Sequence, residues 1–121
     1  MIILALLQAC SARLYIGGKT HVQIFNGLPG GVMLTVHCKS KDNDLNVHQI
    51  SPNGMWGFVF KPSVWGNTLF FCSMQWPGQF HHVDIYDEGR DFDRCGKVCP
   101  WHVLPSGPCM YEAAKCEKWK S

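Results

Sequence analysis

The chain has 121 residues, of which 46% are hydrophobic and 17% are charged, and its formal net charge is +2. This length favours one domain, and the apolar content is too high for an intrinsically disordered chain. No apolar run reaches the ~18–20 residues that cross a bilayer, and the charge balance gives no basic patch for nucleic acid. We therefore expect a compact domain with no membrane insertion and no nucleic-acid partner.

The N-terminus resembles the end of a signal peptide. Residues 2–7 form an apolar block, and Cys10, Ser11 and Ala12 place small residues where signal peptidase cleaves. A buried strand or helix is the structural alternative, because no Lys or Arg precedes the block. We interpret residues 1–12 as a signal-peptide remnant that has lost its basic start, and residues 13–121 as the domain.

Apolar and polar residues alternate along most of the domain, which predicts strands because successive side chains point to opposite sheet faces. The alternating or apolar runs are 21–24, 32–38, 56–60, 69–72, 82–86 and 101–103. Turn-forming Pro and Gly separate them at 28–31, 51–54, 76–78 and 105–108. Only residues 111–119 look helical. The pattern predicts one all-β domain, either a sandwich or a barrel.

Cysteine usage indicates an oxidising compartment. Cleavage after Ala12 would remove Cys10 from the seven cysteines and leave six in 109 residues. These six are the candidate disulfide partners: Cys38, Cys72, Cys95, Cys99, Cys109 and Cys116. Up to three bridges, each contributing ~2–4 kcal/mol, would staple a secreted domain. Six cysteines allow about 15 pairings, so the sequence leaves the pairing open.

Longer motifs resemble one known family. The segment from His37 to Leu45 is similar to the signature His-Cys-Lys-Ser-Lys-Asp-Asp-Asp-Leu of the plant self-incompatibility protein S1 family, with Asn43 at one Asp position. Residues 69–78, 84–91 and 99–109 resemble its later signatures, and residues 20–26 fit its first strand.

The resemblance implies a small secreted protein that folds as an all-β, single-domain antiparallel β-sandwich stapled by disulfides between strands, and members of the family are not known as enzymes. The best understood family members are stigma proteins that a pollen receptor recognises, after which the growth of incompatible pollen is arrested. Cys116 lies beyond the usual last cysteine of the family, which leaves open a third bridge from Cys116 to Cys95 or Cys99.

Two metal sites deserve consideration and are disfavoured. Residues 42–46 offer oxygen ligands at alternate positions, but Val47 and Asn53 stand where an EF-hand needs Gly and Glu, so we expect a solvated acidic turn. Zinc could use residues 81–84 with Cys95, Cys99 and His102. Alternation directs His81 and His82 to opposite faces, and paired cysteines would not bind metal. We predict no metal and no cofactor.

Catalytic signatures are absent from the sequence. No Gly-x-Ser-x-Gly elbow occurs, and the paired carboxylates Asp42/Asp44 and Asp91/Asp93 fall in polar segments where they should stay ionised. We predict no catalytic residue and rank a secreted hydrolase or small metalloenzyme last.

Tryptophans suggest a different class of function. Trp56 and Trp101 fall on apolar strand rows and should fill the core, whereas Trp65 and Trp76 lie at turns. A secreted carbohydrate-binding module that uses Trp65 or Trp76 is therefore our alternative function.

The leading hypothesis is a secreted, monomeric signalling ligand whose loops contact a cell-surface receptor protein. Candidate loops are 39–46, 75–81 and 87–94, in which charges of both signs favour electrostatic specificity; plain solubilising turns are the alternative. The candidate receptor-binding residues are Lys41, Asp42, Asp44, Trp76, Asp87, Arg90, Asp91 and Arg94.

Overall fold

A computed structural model describes residues 18–111 and 115–121. The segment 1–12, interpreted above as a signal-peptide remnant, lies outside the described residues. The elements in chain order are β1 (Thr20–Asn26), β2 (Leu34–Lys39), β3 (Asp44–Ile50), β4 (Met55–Phe60), β5 (Leu69–Trp76), β6 (Gln79–Asp87), α1 (Glu88–Cys95), β7 (Val98–Leu104), β8 (Gly107–Met110) and β9 (Lys115–Cys116).

The strands form two sheets, and the predicted all-β fold is confirmed. One sheet has the order β4-β1-β7-β8-β9 and the other β3-β2-β5-β6. All strand pairs are antiparallel except β1 and β7, which run parallel. Between β1 and β7 the chain forms strands β2 to β6 and helix α1, and a long crossover of this kind, unlike a hairpin, can bring two strands together in parallel.

Inward-facing residues of both sheets make the core. Val22, Ile24, Leu34, Val36 and Trp101 are among the side chains with no solvent exposure. They occupy alternate positions on their strands, as the period-two pattern predicts. Phe58, Phe60 and Phe70 fill the space between the sheets, with ring centroids 4.7–5.9 Å apart.

The two tryptophans predicted to be buried both contact the core. Trp101 is fully buried in β7. Trp56 of edge strand β4 is half-buried, and its ring stacks on the His48 ring at a centroid distance of 4.2 Å. Because β3 and β4 are edge strands of different sheets, this stack joins the two sheets along one side.

All six candidate cysteines are paired. Bridges join Cys38 to Cys72, Cys95 to Cys99, and Cys109 to Cys116. A bridge from Cys116 to Cys95 or Cys99 is wrong, because pairing of β8 with β9 places Cys109 directly opposite Cys116, with their Cα atoms 3.9 Å apart. The Cys38–Cys72 bridge likewise joins residues that face each other on β2 and β5.

The predicted helix at 111–119 is also wrong, because Lys115 and Cys116 form strand β9. A helix this short is marginal on its own, and the ladder with β8 and its disulfide outweigh local propensity. Helix α1 was not predicted from the sequence, and it occupies most of the predicted loop 87–94.

Strand register defines two ends of the sandwich. Lys39 lies opposite Phe71, and Leu69 lies opposite Asp87. The turn at 40–43, the loop at 61–68 and the start of α1 therefore share one end, which we call the turn end. The tight turn at 77–78 lies at the other end of β5, roughly 23 Å away at ~3.3 Å per residue.

Candidate functional site

The predicted recognition loop 87–94 is a short helix. Glu88 and Asp91 lie in the first turn of α1 and Arg94 in its last turn, an order that suits the helix dipole. One carboxylate oxygen of Asp91 accepts a hydrogen bond from the Asp87 backbone N–H at 3.0 Å, which fixes the helix start. The helix ends at Gly96, whose φ of +62° favours glycine.

Three of the predicted receptor-binding residues join a fourth in an ion cluster, defined as Arg90, Asp91, Arg94 and Glu117. The Arg90 guanidinium donates to both oxygens of Asp91, at 2.7 Å from Nε and 2.6 Å from Nη2. Glu117 lies 3.3 Å from Arg90 and 3.1 Å from Arg94. Arg94 also lies 3.5 Å from Asp91. Each charge in the cluster therefore has partners of opposite sign.

The ion cluster is largely closed to solvent. The Asp91 side chain is 0% exposed, and those of Arg90 and Arg94 are 21% and 18% exposed. The Arg90 guanidinium lies 5.4 Å from the ring centroid of buried Trp101 and donates to the carbonyl of Asp84 at 3.0 Å. These contacts make the cluster part of the packing between α1 and the sheets.

Charge inside the cluster changes the pKa of Arg90. Burial alone would lower that pKa, but the hydrogen bond and negative charge of Asp91, followed by the charges of Glu117 and Asp87, raise it above its ordinary value. Arg90 is therefore held in its charged form by its neighbours. Asp87 is half-buried at the start of α1.

The C-terminal segment 117–121 covers one side of the molecule. The Glu117 N–H bonds the carbonyl of Pro108 at 2.8 Å, and the Lys120 N–H bonds the carbonyl of His82 at 2.8 Å, so the segment runs from one sheet to the other. It passes closely over Gly107, where any side chain would collide with the carbonyl of Glu117. This segment was not predicted from the sequence, because a single Glu117 has no local pattern that indicates contacts with Arg90 and Arg94.

Trp76 lies at the end opposite the turn end and is half-buried. Its ring is 5.3 Å from that of His81 and 5.9 Å from that of Trp119, whose indole N–H donates to the carbonyl of Pro105 at 2.8 Å. Trp76 also lines a shallow groove of about 540 Å³ together with Met33 and Phe80. It is thus separated from the other candidates and partly covered.

Lys41 and Asp42 occupy the turn at 40–43, here called the Lys41 turn. The Ser40 N–H bonds the carbonyl of Asn43 at 2.8 Å, and the Ser40 hydroxyl accepts from the Asn43 N–H at 3.2 Å. Lys41 and Asp42 are exposed, and neither side chain has a hydrogen-bond or ion-pair partner among residues 18–111 and 115–121. The predicted loop 39–46 shrinks to this turn because β3 already begins at Asp44.

Asp44 stabilises the strand that leaves the Lys41 turn. Its carboxylate accepts a hydrogen bond from the Asn46 N–H at 2.9 Å and lies 2.7 Å from Nε2 of His37. The backbone bond to Asn46, followed by the bond to His37, lowers the pKa of Asp44 below 3.8. Asn46 has a φ of +69°, so the carboxylate stabilises an unusual backbone conformation beside a bulge between β2 and β3.

Trp65 is the most exposed of the large apolar side chains in the described part of the chain, at 86%. Hydrogen bonds order the loop at 61–68 that carries it: the Trp65 N–H donates to the Ser63 hydroxyl at 3.0 Å, and the Ser63 N–H donates to the Thr68 hydroxyl at 2.7 Å. Buried Glu88 accepts from the Thr68 N–H at 3.1 Å. Trp65 is therefore presented to solvent by an ordered loop.

A groove of about 640 Å³ lies between the Lys41 turn and the Trp65 loop, and we call it the Trp65 groove. Its apolar lining comes from Phe60, Trp65, Leu69, Phe70 and Phe71, and its polar lining comes from Ser40, Lys41, Asp42, Asn43, Lys61, Ser63, Asn67 and Thr68. Its size falls in the range of ~300–1,000 Å³ for small-molecule sites.

The described residues give no support to the metal readings. Within residues 18–111 and 115–121, no three His, Cys, Asp or Glu side chains are grouped so that they could hold a metal ion. Cys95 and Cys99 are bonded to each other. In the same part of the chain, no helix has the length and apolarity needed to span a membrane.

Comparison with known proteins agrees with the motifs and the fold. The sequence profile of the family described as Plant self-incompatibility protein S1 matches residues 21–120. S-protein homolog 5 of Arabidopsis thaliana is 46% identical over 103 residues, covering 84% of this chain and 80% of the relative. S-protein homolog 3 of the same plant is 45% identical over 93 residues, covering 74% of this chain and 62% of the relative.

A solved structure also resembles the fold. It is titled as a structure of SPH (Self-Incompatibility Protein Homologue) proteins, "a widespread family of small, highly stable, secreted proteins from plants", and aligns with a TM-score of 0.60 at 20% identity over 86% of this chain and 96% of the other. At that identity the match supports the fold alone. The profile match and the curated relatives show that the chain belongs to the plant self-incompatibility protein S1 family.

Proposed function

We propose that this protein is a secreted, non-enzymatic signalling ligand that a cell-surface receptor protein recognises. In the family, as the resemblance implies, the receptor-bound protein comes from the stigma and arrests incompatible pollen growth. The observation that carries the proposal is the exposed pair Lys41 and Asp42, which lies on a turn directly after a disulfide-linked strand and has no hydrogen-bond or ion-pair partner within the described ranges 18–111 and 115–121. Charges on a rigid scaffold favour specific recognition, because little entropy is lost on binding.

Extracellular location is supported by the cysteines. All six in the described residues form bridges, and disulfides persist in oxidising compartments. The solved SPH protein is titled as secreted.

A non-enzymatic role is supported by the environment of the one close His–carboxylate pair among residues 18–111 and 115–121, His37 and Asp44. The Asp44 side chain is 54% exposed, and its carboxylate also accepts from the backbone of Asn46. An exposed carboxylate of lowered pKa is a weak general base.

The test is binding of fluorescently labelled protein to live plant cells, pollen and root epidermis. We expect saturable binding that protease treatment of the cells abolishes and that the double variant Lys41→Asp/Asp42→Lys weakens by about tenfold or more. The matched control is Asp93→Lys/Lys97→Asp, which exchanges the exposed charges of Asp93 in α1 and of Lys97 just beyond the end of α1. This variant should bind as the unmodified protein does.

Two results would contradict the proposal. Non-saturable or protease-resistant binding would exclude a receptor protein, and equal binding by both charge-swap variants would exclude the Lys41 turn. Light scattering at the same concentrations should report a monomer, as the proposal also requires.

A further inference from the structure

The Trp65 groove includes Lys41 and Asp42 of the receptor proposal, and it also contains Trp65, Lys61 and Asn67, which that proposal does not use. A tryptophan that is 86% exposed keeps a large apolar surface in water, which is unfavourable, yet three hydrogen bonds order the loop that carries it. In one of these bonds, the buried carboxylate of Glu88 in helix α1 accepts from the loop. An ordered, exposed indole is suited to binding because its ring already has the orientation that a ligand would meet.

The Trp65 groove combines the planar indole ring of Trp65 with polar side chains that can form hydrogen bonds with the hydroxyl groups of a ligand. The indole face carries negative charge density and attracts the weakly positive C–H groups on one face of a pyranose ring. Asn67 and Asp42 line the same groove, and their side chains have no hydrogen-bond partner among the described residues. Amide and carboxylate oxygens accept hydrogen bonds from hydroxyls, and the amide nitrogen donates to them.

The charges of the lining favour an acidic ligand. Lys41 and Lys61 line the groove against the single carboxylate of Asp42, and both lysines are exposed. Neither lysine has an ion-pair partner within residues 18–111 and 115–121. Each ammonium is therefore available to a carboxylate brought by a ligand, an interaction that salt should weaken.

We propose that the Trp65 groove binds an acidic oligosaccharide of uronic-acid residues, with Trp65 stacked on one pyranose ring and Lys41 and Lys61 facing carboxylates. This activity goes beyond receptor recognition, and it requires neither the receptor nor the cell. The other groove, beside Trp76, is a poorer candidate because His81 and Trp119 already pack against that indole.

Titration calorimetry with the purified disulfide-bonded protein tests the proposal, with trigalacturonate as the probe and neutral cellotriose for comparison. We expect trigalacturonate to bind more tightly than cellotriose and its affinity to fall as sodium chloride is raised. Trp65→Ala should weaken binding by about tenfold or more, since it removes both the stacking face and the apolar area that a pyranose ring would cover. Lys61→Gln should weaken trigalacturonate binding several-fold and leave cellotriose binding unchanged.

Phe80→Ala is the matched control, because Phe80 is an exposed aromatic residue, at 56%, on strand β6 near the opposite end. It should bind trigalacturonate as the unmodified protein does. Unchanged melting temperatures of the variants would establish that they fold. The proposal is overturned if trigalacturonate does not bind, if cellotriose binds equally well, or if Trp65→Ala binds normally. These measurements use no cells, so their failure leaves the receptor proposal standing.

Discussion

The Lys41 turn and helix α1 have similar mixtures of charge and opposite environments. In α1, Asp91 contacts both Arg90 and Arg94, the two arginines also contact Glu117, and Asp91 has no solvent exposure. In the Lys41 turn, Lys41 and Asp42 are exposed and contact no opposite charge in the described part of the chain. In the described residues, Glu117 of the C-terminal segment forms ion pairs with α1, and no residue of that segment forms a hydrogen bond or ion pair with Lys41 or Asp42. Mixed charge in the sequence therefore does not by itself distinguish an exposed surface from a buried ion cluster.

The largest single loss of stability in either region should come from removal of a disulfide. Removing the Cys38–Cys72 bridge with a double Ala substitution frees a loop of 34 residues and should lower the free energy of unfolding by ~4 kcal/mol. Removing Cys95–Cys99 frees only 4 residues beside α1 and should cost ~2 kcal/mol. Urea unfolding of both variants measures the contrast, and equal losses would show that loop length does not set their contribution.

The next effect concerns charge that is buried in one region and exposed in the other. Asp91→Asn leaves two arginines without their shared carboxylate and should cost ~3 kcal/mol, near the lower limit for a broken buried pair because both arginines retain some exposure. Asp42→Asn removes the same charge from the Lys41 turn and should change stability by no more than ~0.5 kcal/mol. Similar urea midpoints for the two variants would contradict the distinction between the regions.

A smaller loss is expected when the C-terminal segment is displaced. Gly107→Ala puts a methyl group against the carbonyl of Glu117, at a φ of +139° that glycine prefers, and should cost ~1–3 kcal/mol. Hydrogen exchange should then show faster exchange of the Lys120 N–H. The control is Gly30→Ala, where φ is also positive but an added Cβ would have no atom within 4 Å apart from those of its chain neighbours. In this variant the protection of the Lys120 N–H should not change. Equal Lys120 protection in both variants would mean that close contact at Gly107 does not hold the segment.

The smallest effect is a pH dependence at the start of β3. The folded-state pKa of Asp44 lies below 3.8, so its charged form contributes stability above that pH, and the contribution is lost as the pH falls through the folded-state pKa. Asp44→Asn should therefore be slightly less stable than the unmodified protein at pH 5–7, and the two should converge in more acidic solution. Urea midpoints across this range measure the effect, and a constant difference would exclude Asp44 as its source.

Local patterns predicted most of the fold. Alternation identified the inward faces of β1, β2 and β7, including buried Trp101, and Pro and Gly marked the turns. The prediction that Trp65 lies at the surface is also confirmed, because turns and loops run over the surface of a domain. These features depend on neighbours within a few residues of one another.

Long-range contacts explain what could not be predicted. The role of Arg94 depends on Glu117, 23 residues later, and that of Asp44 depends on a bulge opposite His37. The partner of Cys116 depends on the register of β8 with β9 rather than on cysteine spacing. No local pattern encodes such pairings. From the sequence alone, Arg90, Asp91 and Arg94 therefore have the composition of a surface loop, and only the contact with Glu117 identifies them as an ion cluster.

Reciprocal grafting tests most directly which region a receptor recognises. Residues 39–44 of a relative with a different receptor preference are placed in this chain, residues 87–94 are grafted in a second variant, and both compete with labelled parent proteins on live cells. The turn graft should acquire the relative's competition profile while keeping its melting temperature, and the helix graft, where it folds, should keep the original profile. A turn graft that folds and still competes as the original protein does would contradict recognition through the open end of the sandwich.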